Sequence, residues 1–325
     1  MENMSDLIVT IDLASLAPAL AFGLGIVALL LTLGTIAAFF LPALQPGKWV
    51  DLGPRMWSWW VMCILVIAAL LAGPTALIIL FGFISFLALK EFLTLAPTRR
   101  EDRMVVLIVY AAVPVTYAAV WFNNYQFFLT LIPVYLFLIV AFAMAWIGRT
   151  ERFLATAGIL YWGVVACVTN LAYIPFLIQV PASETPQAGP AGLVFFLLFV
   201  TQLNDVAQYC WGKAFGRTKI TPLVSPNKTW EGAIGGWITT GLVIWFLGPV
   251  FTPVTGIGLA TTALLLPVAG FAGDITMSAI KRDLGVKDTG QLLPGHGGAL
   301  DRLDSLTFTA PLFFHLLAFF AVERF

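Results

Sequence analysis

Runs of about 20 mostly apolar residues recur along this chain, and a helix of that length is what crosses a hydrocarbon layer about 30 Å thick. Ten such runs can be marked, near 13–41, 56–72, 75–93, 104–122, 126–147, 153–179, 191–211, 233–248, 257–282 and 305–323. Only 10% of the 325 residues are charged, against about 25% in a soluble domain, and mean hydropathy is +0.94. The weak alternating segments of a transmembrane β-barrel are not visible. The sequence therefore predicts an all-α polytopic membrane protein with about ten transmembrane helices. Gly73-Pro74 is the whole interval between the second and third runs, so these are either two helices or one kinked helix.

The basic residues orient the runs. Sixteen of the 17 fall in alternate intervals: Lys48 and Arg55, then Lys90, Arg99, Arg100 and Arg103, then Arg149 and Arg152, then Lys213, Arg217, Lys219 and Lys228, then Lys281, Arg282, Lys287 and Arg302. The loops at 123–125 and 180–192 carry none, and Arg324 alone lies on their side. By the positive-inside rule the basic side is cytoplasmic and both termini are outside, with a bacterial cytoplasmic membrane as the expected location. The opening MENMSDLIVTID lacks the basic segment and cleavage site of a signal peptide, so the first run is expected to stay as an anchor. The formal net charge is zero, which gives no argument for nucleic acid. Cys63, Cys167 and Cys210 lie in apolar runs without a CxxC pair, and read as buried thiols rather than a zinc site or a disulfide framework.

Polarity is unevenly spread. Residues 1–190 read as an apolar transmembrane region of about six helices, and 191–325 as a region of about four helices with two polar loops, 212–232 and 283–304. Asp274, Ser278, Lys281 and Arg282 are spaced i, i+4, i+7 and i+8 and share one helix face. Asp301 and Asp304, spaced i, i+3 at the start of the tenth run, can likewise face one way. An ionisable group at membrane depth is costly and marks a functional site by default. Asp274, Asp301 and Asp304 make a hard oxygen set suited to Mg²⁺. Lys281, Arg282, Lys287 and Arg302, with the glycine-rich PGHGG, offer the cations and backbone N–H groups that phosphoryl chemistry uses. His296, between glycines, either moves a proton or only shapes the turn. A solvated loop held by salt bridges would explain these charges but not Asp274.

The other polar loop begins with Asn204 and Asp205 at the end of the seventh run. Its SPNKTWEG segment sets Ser225, Lys228, Thr229 and Glu231 beside a glycine-rich helix start, material for binding a nucleotide or its phosphates. It is not a Walker A loop, because Gly212, Gly216, Arg217 and Thr218 miss both the spacing and the lysine. Gly232 and Gly236 form a small-xxx-small pair that reads as helix packing.

The stretch SAIKRDLGVKDTGQLLPGHGGALDRLD, residues 278–304, closely resembles the signature of the phosphatidate cytidylyltransferase (CDP-diacylglycerol synthase) family. That signature runs S-x-x-K-R, K-D, P-x-H-G-G and D-R-x-D, and all four pieces stand here at family spacing. Upstream, Asp205, Tyr209, GKAFGR and SPNKTWEG look like the family's preceding block. The likeness spans roughly residues 200–310, with Val206, Gln208 and Ala299 as departures from the pattern. It implies transfer of the cytidylyl group of CTP to phosphatidate, giving CDP-diacylglycerol and pyrophosphate. It also implies Mg²⁺, K⁺ as a candidate second cation, and a homodimer as a candidate assembly. Carried over, the metal carboxylates fall on Asp274, Asp301 and Asp304, and Asp288 is the K-D aspartate near the substrate. Lys228, Lys281, Arg282, Lys287 and Arg302 would stabilise phosphate charge, while Asn204, Asp205, Ser225, Thr229, Glu231 and Ser278 would hold substrate.

Three rivals stand beside this reading. A cytidylyltransferase acting on another lipid phosphate would share every feature above. A transporter should show broken helices in corresponding halves, whereas the polarity here is confined to one half and one face. An inactive membrane partner would keep the fold without the chemistry.

Overall fold

The computed structural model describes residues 17–44, 52–97, 102–148, 150–185, 188–290 and 297–321. Within them the chain forms α1 (Pro18–Leu44), α2 (Leu52–Ala72), α3 (Pro74–Leu95), α4 (Arg103–Trp121), α5 (Tyr125–Trp146), α6 (Phe153–Gln179) and α7 (Gly189–Phe215). A hairpin of β1 (Lys219–Thr221) and β2 (Ser225–Thr229) follows, and then α8 (Trp230–Phe251), α9 (Gly256–Asp283) and α10 (Leu306–Phe320). In hydrocarbon every backbone N–H and C=O must be paired within the protein, which is why apolar runs of this length become helices. Each of the ten expected runs is a helix, and the protein is an all-α polytopic membrane protein.

Two details depart from the expected layout. Nine of the described helices are long and apolar enough to span. The 15 residues of α10 reach only about 22 Å, short of a full crossing. That helix packs against α6, α7 and α9 rather than standing in lipid, and Phe313 and Phe314 are fully buried. Residues 297–305 before it are buried or half-buried, and irregular backbone is tolerated where protein surrounds it. The second and third runs are separate helices that meet at Gly73, whose φ of 100° lies in the region glycine favours.

The two sequence regions share one hydrophobic core, which runs from Phe81 and Phe128 through Phe176 and Phe196 to Phe313. Without a hydrophobic drive between helices in lipid, small residues decide which helices approach closely. A methyl at Gly232 would meet the Gln208 carbonyl oxygen at 2.8 Å and Gly212 Cα at 2.9 Å, so α7 and α8 touch backbone to backbone. Gly236 faces Gln208 in the same seam, and the pair packs helices as its spacing suggests. Asn204 then ties three helices, donating to the Pro267 carbonyl of α9 at 2.9 Å and accepting from Thr240 Oγ1 of α8 at 3.4 Å.

Of the three thiols, Cys167 is buried and Cys63 half-buried, but Cys210 is exposed, contrary to the reading of all three as buried. It lies near the end of α7, between Tyr209 and Trp211, which are both exposed. Lys48, Arg99, Arg100, Arg149, Arg324 and His296 lie outside the described residues.

Candidate active site

The hairpin and the segment after α9 lie at one end of the bundle. Arg282, near the end of α9, donates from Nε to the Val224 carbonyl at the hairpin turn at 3.2 Å, and from Nη1 to the Val286 carbonyl at 3.1 Å. Two side chains of the hairpin segment brace it. Thr229 caps α8, its Oγ1 accepting from Gly232 N–H at 3.2 Å. Glu231 accepts the backbone N–H groups of Arg217 at 3.0 Å and Thr218 at 3.1 Å, which pins the strand connection onto the helix start. Ser225 opens β2 opposite Thr221.

So held, Lys228 reaches inward to Asp274, with Nζ 2.5 Å from Oδ2, and lies over the Phe271 ring at 4.7 Å. Ser278, one turn along α9, donates to the other oxygen of Asp274 at 3.2 Å, as the i, i+4 spacing suggests. Facing Asp274 are Asp304 and Asp205. Ser305 links these two, its N–H donating to Asp304 at 2.8 Å and its hydroxyl to both oxygens of Asp205 at 3.1 Å. Burial, and then the charge of Asp274, pushes the Asp304 carboxyl up to about 7. Arg302, beside Asp304, has a buried Nε with no partner.

The close approach that makes this cluster depends on Gly273. A methyl there would stand 2.5 Å from the Asp304 carbonyl oxygen, a backbone atom that cannot swing aside. Gly273→Ala is therefore expected to push the 304–305 turn off α9 and lower turnover about tenfold. Steady-state rates read beside an unchanged helical circular-dichroism spectrum would check it; full activity would show that the contact carries no catalytic geometry.

Asp301 points elsewhere than Asp304. The 3₁₀ turn Leu300–Arg302 sends it to Lys281, whose Nζ lies 2.8 Å from Oδ1. Its Oδ2 accepts from Thr289 N–H at 2.8 Å, Gly298 N–H at 2.9 Å and Thr289 Oγ1 at 3.1 Å. Burial works against the charge, yet the Lys281 ammonium and these N–H groups hold the Asp301 carboxyl below the usual carboxylate range. Both oxygens are thus committed to protein partners. Lys287 and Asp288 are exposed at the rim.

The same turn has a partner from the other half of the chain. Glu91, on α3, accepts from Ala299 N–H at 2.9 Å and Leu300 N–H at 3.0 Å, and shares the one Thr289 hydroxyl proton with Asp301, Oγ1 lying 3.2 Å from the Glu91 carboxylate and 3.1 Å from that of Asp301. Methyl groups at Gly290 and Gly298 would both run into this carboxylate, at 3.0 Å for Gly290. Nothing in the sequence singled out Glu91; its one signal is a second charge beside Lys90 late in an apolar run.

The arrangement is three carboxylates in mutual electrostatic range, Asp205, Asp274 and Asp304, rimmed by Lys228, Lys281 and Arg302. Three carboxylates on facing segments supply hard oxygen donors that suit Mg²⁺, and the Lys228 ammonium already stands against Asp274 as a cation would. Among the described residues no three such side chains gather closely enough to hold an ion as they stand.

Comparison with known proteins adds to this geometry. The sequence pattern of the family described as "Cytidylyltransferase family" matches residues 54–320. The chain is similar to the "Uncharacterized protein YnbB" of Escherichia coli, 41% identical over 293 residues, covering 90% of this chain and 96% of that protein. It is 30% identical over 258 residues to the "Phosphatidate cytidylyltransferase" of Thermotoga maritima, covering 78% of this chain and 88% of that protein. The match to the protein of the same name from Haemophilus influenzae is 47% identical over 135 residues, spanning 39% of this chain and 46% of that protein.

Proposed function

Because the chain belongs to the cytidylyltransferase family, we propose that it transfers the cytidylyl group of CTP to phosphatidate, giving CDP-diacylglycerol and pyrophosphate. The observation that carries this reading is the cluster of Asp205, Asp274 and Asp304 with Lys228, Lys281 and Arg302 at one end of a lipid-embedded bundle. An oxygen of the lipid phosphate bonds to the α-phosphorus of CTP while the bond from that phosphorus to the bridging oxygen breaks, and pyrophosphate leaves. The attacking phosphate is already anionic, so no strong base is needed. The obstacle is repulsion between two anions. Lys228 can exchange its carboxylate for a phosphate oxygen, and Lys281, held by Asp301, presents a fixed positive charge. Arg302, whose buried Nε has no protein partner, would take charge from the departing pyrophosphate. Asp205, Asp274 and Asp304 would hold Mg²⁺, which supplies screening of the phosphate charges when bound. The basic side of the chain supports a site facing the cytoplasm, where CTP is found, with both termini outside. The family resemblance also supports a homodimer, which chemical cross-linking in membranes would test.

Purified protein in detergent, given CTP, phosphatidate and Mg²⁺, is expected to release pyrophosphate only when all three are present, and to stop on chelation. Release with another lipid phosphate but not phosphatidate would move the acceptor. No release with any lipid, from folded protein, would sink the reaction.

A further inference from the structure

Pro311 lies inside α10, in its second turn. A proline has no N–H, so the carbonyl four residues before it, that of Thr307, loses its helical partner. Thr307 is fully buried, where an unpaired carbonyl is costly. The replacement donor comes from another helix. Asn170, on α6, donates from Nδ2 to the Thr307 carbonyl at 2.8 Å. It follows directly on the π-helical turn Val165–Thr169. Such a turn carries one residue more than an α-helical one, and rotates the face presented after it by about 100°.

Thr307 is held from both sides. Its hydroxyl donates to the Asp304 carbonyl at 2.7 Å, and its N–H to the Leu303 carbonyl at 2.9 Å. That Asp304 carbonyl is the atom that stands against Gly273 of α9. The next residue, Ser305, joins Asp304 to Asp205. The Asn170 bond therefore fixes the first turn of α10, and that turn fixes where two of the three carboxylates meet. Glu91 does the same for the turn at 298–301. The segment from 298 to 307 is thus held from the first half of the chain, by α3 at one end and α6 at the other. The rest of α10 has its own anchors. Thr201 of α7 donates to Thr309 Oγ1 at 3.0 Å, and Phe313 and Phe314 are fully buried. Loss of the Asn170 bond should loosen the first turn without unseating the helix.

We propose that Asn170 is a positioning residue for the carboxylate cluster, acting through the Thr307 carbonyl that Pro311 leaves unpaired. This deepens the cytidylyltransferase reading and rests on it for the role of Asp304. Asn170→Leu keeps the volume of the side chain and removes the donor. It is expected to lower kcat about tenfold, with little change in the KM for CTP and a severalfold higher Mg²⁺ concentration for half-maximal rate. Hydrogen–deuterium exchange on the protein alone should be about tenfold faster at 304–309, with α6 and the end of α10 still protected. Pro311→Ala gives the helix an N–H for Thr307, so the double variant Asn170→Leu/Pro311→Ala should regain both the rate and the slow exchange. Packing around Asn170 would not be repaired by that second change. Wild-type exchange at 304–309 in Asn170→Leu overturns the proposal. So does a loss of rate and protection that Pro311→Ala fails to relieve while Pro311→Ala alone is active. If Pro311→Ala alone is slow, exchange in Asn170→Leu decides. Wild-type protein that releases no pyrophosphate sinks the reaction and leaves the exchange result to judge Asn170. Turnover in wild type with unchanged rate and exchange in Asn170→Leu does the reverse.

Discussion

Asp301→Asn is expected to lower kcat about a hundredfold and to leave the Mg²⁺ concentration for half-maximal rate unchanged. The family resemblance puts Asp301 among the metal carboxylates, but its oxygens are taken up by Lys281, Thr289 and Gly298. An amide at this position keeps an acceptor for the two N–H groups and turns an NH₂ towards the Lys281 ammonium. Lys281 then loses its partner while largely buried, and removing one member of such a pair costs about 3–5 kcal/mol. An ammonium that swings away no longer stabilises phosphate charge, and roughly 2.7 kcal/mol of that stabilisation is a hundredfold in rate. A rate titration with Mg²⁺ separates the two roles. If Asp301 positions Lys281, the loss persists at saturating Mg²⁺, whereas Asp274→Asn shifts the Mg²⁺ requirement itself. A rate restored by excess Mg²⁺ would return Asp301 to the ligand set.

What the sequence revealed follows from what constrains each feature. Hydrocarbon imposes length and apolarity on a helix, so runs such as 153–179 coincide with their helices, and the tenth departs because protein rather than lipid surrounds α10. The spacing of Asp274 and Ser278 placed them on one face because a helix fixes which residues share a face, and in the structure the two side chains are hydrogen-bonded. The same reasoning failed between Asp301 and Asp304, since the chain there is a 3₁₀ turn and then irregular, and three residues of separation carry the side chains to different partners. The β1–β2 hairpin and the bracing roles of Thr229 and Glu231 depend on backbone pairing that a polar loop does not announce. Asp205 was visible as a polar residue at a run's end, but its meeting with Asp304 depends on Ser305, a hundred positions along the chain. Long-range contacts of that kind leave no local spacing to read.

Glu91 is the clearest such contact, and Glu91→Ala is expected to cut activity about a hundredfold from a position on α3. The turn at 298–301 lies inside the bundle, where each backbone N–H must find an acceptor. Glu91 supplies acceptors for two of them and Asp301 for a third. Without Glu91, the N–H groups of Ala299 and Leu300 are left unpaired at a cost of about 1–3 kcal/mol each. The turn that orients Asp301, and through it Lys281, then relaxes towards positions where Lys281 no longer meets phosphate. Because α3 is an apolar helix packed on α2, α4 and α6 independently of Glu91, the bundle should still assemble. Glu91→Gln, which keeps one acceptor oxygen, should fall between wild type and Glu91→Ala. A positioning role predicts a lower kcat with little change in the KM for CTP, and faster amide exchange at 299–300 with α3 and α6 still protected. Full activity in Glu91→Ala, or exchange that rises across α3 and α6 together, would remove Glu91 from the site and leave only general support for the fold.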